Sequence, residues 1–360
     1  MTYYIFYIMI LVLESCLLCI ANARTGETLS IKRNDRVYVI LVTVQFLLLS
    51  ALRNSTVGAD TQYYIEYFQA IDDNYTWSQM VSYLAGGFLG ERRWFEPLFT
   101  LFVKCVHIFT DNPQIYLSVI AIIIMIPLGK FIYDNSRNVA LSFMIYMCLF
   151  FQCFGITAVR QSLALSIAVL GGYHFVKEQE LWKFFICVVV GMLFHVSAII
   201  ILPLYFVYHY KPGKVAKMIY IGIVMILLLF HNKIIGVISG ATGLAYAGSE
   251  GAKAFNMVII MLAITLFCLW KYDKLVEIRE ENTGIINAVL LGTLILPFSQ
   301  VDSVYMRLSY FYYMFLMILI PEILLLFPKK WKNIFTVCAY AGMIALFARH
   351  GLQYSFFWQA

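Results

Sequence analysis

Apolar runs of about 15 to 20 residues, each about long enough to cross a ~30 Å hydrocarbon core, recur from one end of this chain to the other. No water-soluble fold can hide that much apolar surface. The chain is 62% hydrophobic and 13% charged, where soluble domains average about 25% charged. In lipid, backbone groups must pair within their own segment, so the runs are expected to be helices. The expected class is an all-α, polytopic integral membrane protein with about twelve transmembrane helices.

Hydropathy places the spans at 3–20, 37–52, 115–132, 139–154, 158–176, 182–194, 196–210, 217–231, 255–270, 284–299, 304–327 and 333–348. With that threading, alternate loops collect most of the 26 lysines and arginines. They are 21–36 (Arg24, Lys32, Arg33, Arg36), 130–138, 177–183, 211–217, 271–281 and 329–332. The positive-inside rule assigns these loops to the cytoplasm and both termini to the outside. Residues 97–110 would invert every later cluster if counted as a span. They are expected to form an amphipathic helix on the outer surface. Residues 1–360 are read as one transmembrane domain, with a large outer loop at 53–114 and a Gly-rich outer loop at 232–254. The net charge of +6 sits in short clusters between apolar runs, which is orientation signalling and excludes a nucleic-acid-binding face.

The eight cysteines are scattered, nearly all within apolar stretches, and are expected to be buried and inert. No basic segment precedes the first run, so a cleavable signal is not expected. Glu14 is expected to reach water or Arg24, and Lys104 and His107 to sit at headgroup level.

Ionisable groups near lipid are costly and need partners. Those that stand out map to the outer side: Asp60, Glu96, Arg160 with Gln161, His195 and Arg307. In this threading Arg160, His195 and Arg307 fall at helix N-termini, where an anion rather than a cation is stabilised. A phosphate or diphosphate would compensate them. The plainer alternatives are snorkelling arginines, salt bridges to Asp60 and Glu96, and capping roles for both acids. Ala164, Ala168, Gly171 and Gly172 follow Arg160 at helical spacing and read as a close-packing face that mounts it.

These residues resemble the EpsG family of exopolysaccharide polymerases, related in role to Wzy-type O-antigen polymerases. The likeness lies in Gly58 and Asp60 followed by Tyr63, Tyr64, Tyr67 and Phe68, and in Phe95–Glu96–Pro97. Its most specific parts are Val159–Arg160–Gln161 with Ala164 and Leu165, then Phe194–His195 with Ser197, Ala198, Leu202 and Pro203. Arg307 with Tyr310, Tyr312 and Tyr313 fits more loosely, and Val196 stands where the family often has lysine.

The resemblance implies a multi-pass enzyme of the bacterial cytoplasmic membrane, its active site facing the periplasm or exterior. It would transfer a growing glycan from undecaprenyl diphosphate to a lipid-linked oligosaccharide repeat unit, for O-antigen, capsule or exopolysaccharide. Arg160, Gln161 and Arg307 would bind the diphosphate. His195 or Asp60 would act as base, and Glu96 would orient sugars or hold an arginine. No cofactor or metal is expected. The expected partners are the lipid-linked substrate, membrane lipids, and a chain-length regulator and flippase of the same pathway. The alternatives are a flippase or transporter of lipid-linked oligosaccharide, and a polyprenyl-donor glycosyltransferase or ligase.

Overall fold

The computed structural model describes residues 2–25, 28–80, 96–242, 255–302, 304–348 and 353–359. Helix dominates the described residues, and their one isolated bridge pairs Arg53 with Phe356. Six helices among them are long and apolar enough to cross a membrane, Tyr3–Arg24, Ile31–Ala51, Pro113–Asn135, Lys214–Val237, Asn282–Gln300 and Lys329–Ala348. Two pairs bent by 76° and 54°, Phe255–Trp270 with Tyr272–Ile278 and Tyr305–Tyr313 with Leu316–Leu324, raise the number to eight if each is one span.

Twelve spans were expected; six to eight are supported by length and composition among the described residues, and the others are shorter or broken. The runs at 139–154, 158–176, 182–194 and 196–210 form short or broken helices. Val139–Ile145 continues as π-helical turns, Val159–Leu165 passes into a π segment, and Val196–Ile201 is 3-10. Residues 139–151 are almost all buried. An apolar run that packs against protein is as hydrophobic as one that faces lipid, and irregular backbone at membrane depth is tolerated where protein covers it.

Several boundaries also move. The first two helices run Thr2–Thr25 and Thr28–Ala51, so most of the cationic stretch 21–36 is helix rather than loop. The same holds for Tyr272–Ile278 within 271–281, and for 232–242, where helix Lys214–Thr242 enters the expected Gly-rich loop. The rest of that loop, 243–254, lies outside the described residues. Polar side chains end the lipid, not the helix.

Two compact units are distinguished in the chain. The first comprises Met1–Phe175, Glu180–Ile199 and Asn333–Ala360. In it α1 (Thr2–Thr25), α2 (Thr28–Ala51), α3 (Thr61–Gln69), α4 (Ile71–Asn74), α5 (Pro97–His107) and α6 (Pro113–Asn135) precede the buried, π-rich stretch 139–171. Phe46 of α2 anchors that stretch, stacking on Phe143 at 5.9 Å and meeting Tyr146 and Phe151 at 5.2 and 5.0 Å. Gly129 lets α6 close onto Thr43 of α2. The tail is tied back, with Asn54 N–H donating to Ser355 O and Phe357 N–H to Leu52 O, both at 2.9 Å.

Three polar expectations change in this unit. Glu14 accepts from Gln45 Nε2 at 2.6 Å, so a neighbouring helix rather than water or Arg24 answers it. Lys104 is 4% exposed and donates to Asp72 Oδ1 and Tyr75 O, both at 2.6 Å, instead of reaching outward. Its helix, α5, is a single short helix as expected, with Phe99, Thr100 and Val103 buried. Cys16, Cys19, Cys105 and Cys338 are exposed rather than buried.

The second unit comprises Val176–Gln179 and Ile200–Lys332. Its centre is helix Asn282–Ile295, almost wholly buried. Asn287 Nδ2 donates to Val207 O and Tyr210 O at 2.6 and 2.7 Å, and Thr293 Oγ1 meets Thr265 Oγ1 and Tyr313 OH at 2.8 and 3.1 Å. These bonds remove polar groups from an apolar interior at no net loss of pairing.

Candidate active site

Glu96 opens α5, with Pro97 in the first helical position, which needs no N–H partner. The carboxylate makes no capping bond to its own helix. It is only 8% exposed, and turns to two cationic-type side chains from far along the chain. Oε2 accepts from Arg160 Nη1 at 2.8 Å, and Oε1 pairs closely with His195 Nδ1. Carboxylate, guanidinium and imidazole thus meet although 64 and 99 residues separate Glu96 from its partners. A buried carboxylate needs such pairing, because removing a charge from water is costly unless it is answered. Of the alternatives for Glu96, capping gives way to a salt bridge that holds Arg160.

Arg160 is the second residue of a short helix, α7 (Val159–Leu165). The residue that leads into it, Ala158, has φ 48° and ψ 44°, a left-handed conformation that L-residues adopt at a cost. Asp60 holds this turn, its Oδ2 accepting the Ala158 N–H at 3.2 Å. Asp60 stands at the N-cap position of α3 but makes no capping bond there, so the acid is spent across the fold rather than on its helix. Gly58 makes the approach possible. Its φ is +90°, and a Cβ would lie 2.7 Å from Ile156 Cγ2. The Gly-x-Asp sequence is therefore a clasp over the turn that presents Arg160.

The mount behind Arg160 is the small-residue face that its spacing predicts. Helix α8 (Leu181–Phe194) packs on it through Gly191, where a Cβ would stand 3.0 Å from Ala168 Cβ and 3.2 Å from Ala164 O. Gln161 is buried in α7. Arg160 itself is 37% exposed on its side chain, lies 5.9 Å above the Phe99 ring, and keeps a buried Nε with no acceptor among the described residues. That donor remains for a further acceptor.

His195 stands, as expected, in the turn between two helices. It caps the C-terminus of α8, with φ −162° and ψ 123° and its N–H on Gly191 O at 2.8 Å. It also leads into the 3-10 helix Val196–Ile201, its carbonyl accepting the Ala198 N–H at 3.0 Å, so the carbonyl end of one helix and the amide end of the next oppose each other at this residue. Binding of Nδ1 to Glu96 leaves Nε2 directed elsewhere, and the side chain is 30% exposed. A ring oriented through one nitrogen and available at the other is the arrangement of a proton acceptor. Arg307 lies in the first turn of helix Val304–Tyr313, in the second unit.

Sequence reasoning paired Arg160 with an acid but did not see that one acid serves both Arg160 and His195. It also missed Arg53, 1% exposed, whose Nε donates to Thr61 Oγ1 at 3.2 Å beside Asp60. The only available signal was a cation at the end of an apolar run. Phe95 of the F-E-P sequence lies outside the described residues.

A multi-pass helical membrane protein with a buried carboxylate bridging arginine and histidine is the class these observations define. The family model for the EpsG family matches residues 36–359, and the chain belongs to that family. No curated protein and no solved structure matches it.

Proposed function

We propose that this chain is a polysaccharide polymerase that transfers a growing glycan from undecaprenyl diphosphate to a lipid-linked repeat unit on the extracytoplasmic face. Membership of the EpsG family supports the reaction class. The observation that carries the reading is the Glu96 bridge, which fixes a guanidinium and an imidazole side by side.

In the proposed step an acceptor hydroxyl oxygen attacks the anomeric carbon of the donor glycan. The bond from that carbon to the diphosphate breaks, and undecaprenyl diphosphate leaves with the electron pair. Arg160 stabilises the charge that grows on the leaving oxygens, the term that dominates such catalysis. Its Nε and the outward part of its fork supply the donors, and Gln161 completes the diphosphate site. His195 Nε2 takes the hydroxyl proton. Glu96 is a positioning residue for both. Asp60, engaged with Ala158 N–H, positions the turn that carries Arg160 and gives way to His195 as base.

The test is elongation of a purified lipid-linked repeat by the protein in liposomes. Wild type should give a ladder rising by one repeat, and a folded Arg160→Ala variant only the starting repeat. Normal elongation by Arg160→Ala overturns the leaving-group role, and no elongation by wild type overturns the function. Deletion in cells separates the transporter reading, since loss of a polymerase leaves single capped repeats at the surface and loss of a flippase leaves none.

A further inference from the structure

Beside Arg160 lies a group of rings that the transfer chemistry leaves unused. Tyr63 and Tyr67, one turn apart on α3, have centroids 6.2 Å apart and planes 25° from parallel. Tyr67 continues onto Phe99 at 5.9 Å and 23°. Tyr64 meets Tyr63 and Phe99 edge-on at 5.5 and 5.8 Å. These separations lie within the favourable range for offset and T-shaped pairs. Tyr67 is pinned through its hydroxyl to Thr100 Oγ1 at 2.8 Å. The innermost ring, Phe99, is the one that Arg160 overlies. The outermost, Tyr63, is 53% exposed.

Core packing accounts for Phe99 and Tyr64, which are 3% and 4% exposed, but not for Tyr63. A headgroup anchor does not fit its surroundings. An anchor for anionic lipid keeps polybasic company, whereas the exposed residues next to Tyr63 on α3 are Gln62 and Glu66. Gln62 Nε2 donates to Glu66 Oε1 at 2.8 Å along the same side of α3. A flat apolar ring edged by amide and carboxylate complements a pyranose, which offers a C–H face and a rim of hydroxyls.

We propose that Tyr63, backed by Tyr67 and Phe99, is a sugar subsite that stacks a neutral pyranose of the glycan close to the reacting bond. The Glu66 carboxylate disfavours a uronic acid at that position. The inference rests on the glycosyl-transfer reading for the role of the bound sugar, while the binding itself is independent of catalysis.

The probe is a set of oligosaccharides of one to three repeats, released from the polymer the cell makes and freed of lipid. Their equilibrium binding to the solubilised full-length protein should weaken about five- to tenfold in Tyr63→Ala and stay within about twofold in Tyr63→Phe. In elongation assays the KM for the lipid-linked repeat, which serves as donor and acceptor, should rise by a similar factor in Tyr63→Ala, with kcat within about twofold. Unchanged oligosaccharide binding and KM in Tyr63→Ala overturns the subsite, as does a loss of thermal stability with no change in KM, which marks a membrane anchor. Wild type that elongates normally alongside an indifferent Tyr63→Ala removes only the subsite. Wild type that binds the oligosaccharides through Tyr63 but transfers nothing removes the polymerase reading and leaves the subsite standing.

Discussion

Replacing Glu96 by glutamine keeps the shape of the side chain and removes the charge on which the site is built. Two charge-assisted contacts converge on this carboxylate, from Arg160 Nη1 at 2.8 Å and from His195 Nδ1. Each such contact is worth about 1.5–3 kcal/mol. Glutamine offers one acceptor oxygen and one N–H₂ group, so it can satisfy one partner and must present a donor to the other. Because Arg160 and His195 are 37% and 30% exposed on their side chains, water relieves part of the loss, and stability should fall by about 1–2 kcal/mol. Catalysis should fall further. Losing the oriented base is expected to cost on the order of 10²–10⁴ in kcat, since the imidazole tautomer and direction are no longer imposed. Elongation of the lipid-linked repeat in liposomes measures kcat, and thermal unfolding in detergent checks that the variant is folded. Glu96→Asp should be intermediate, because a side chain shorter by one methylene cannot reach both partners. A folded Glu96→Gln that elongates within about threefold of wild type would refute the bridge as a catalytic support.

Arg160→Lys keeps the charge and loses the fork that reaches Glu96 while leaving Nε free, so elongation should drop on the order of 10–100-fold with little change in unfolding temperature. Gly58→Ala meets both a +90° φ and Ile156 Cγ2 at 2.7 Å; it should destabilise by about 2–3 kcal/mol and impair elongation as well, because the clasp opens with it. The Lys104 ammonium hydrogen bond holds the Asp72 carboxyl below its usual range. With the folded pKa depressed, the contribution to stability is present above the unfolded value near ~3.9 and is lost as pH falls through the folded one. Asp72→Asn should therefore flatten the acid limb of the stability–pH curve and cost about 1 kcal/mol at neutral pH, read by thermal unfolding across pH.

The distance between sequence and structure is clearest at three residues. Arg160 was legible as a site residue, because a cation ahead of an apolar, alanine- and glycine-rich run needs a mount and a partner. Glu96 was legible as a polar residue needing explanation, but not as the bridge. The bond joins α5 to α7 and α8, and no local pattern reports such a meeting. His195 was legible as the polar residue between two apolar runs, and it both closes α8 and leads into Val196–Ile201, but nothing local reports that its ring meets Glu96.

Composition and the recurrence of long apolar runs determined, without any coordinates, that the chain is helical and built for a bilayer, because lipid admits few other ways of pairing a backbone. They also determined which ionisable groups would have to be explained. The tertiary structure alone decided which runs stay unbroken helices and which, like 139–151, break up and pack inside, since burial against protein and burial in lipid demand the same hydrophobicity. It alone brought Glu96, Arg160 and His195 together, and set Asp60 and Gly58 over the turn that presents the arginine. Contacts across such separations follow from packing, and packing is a property of the whole chain.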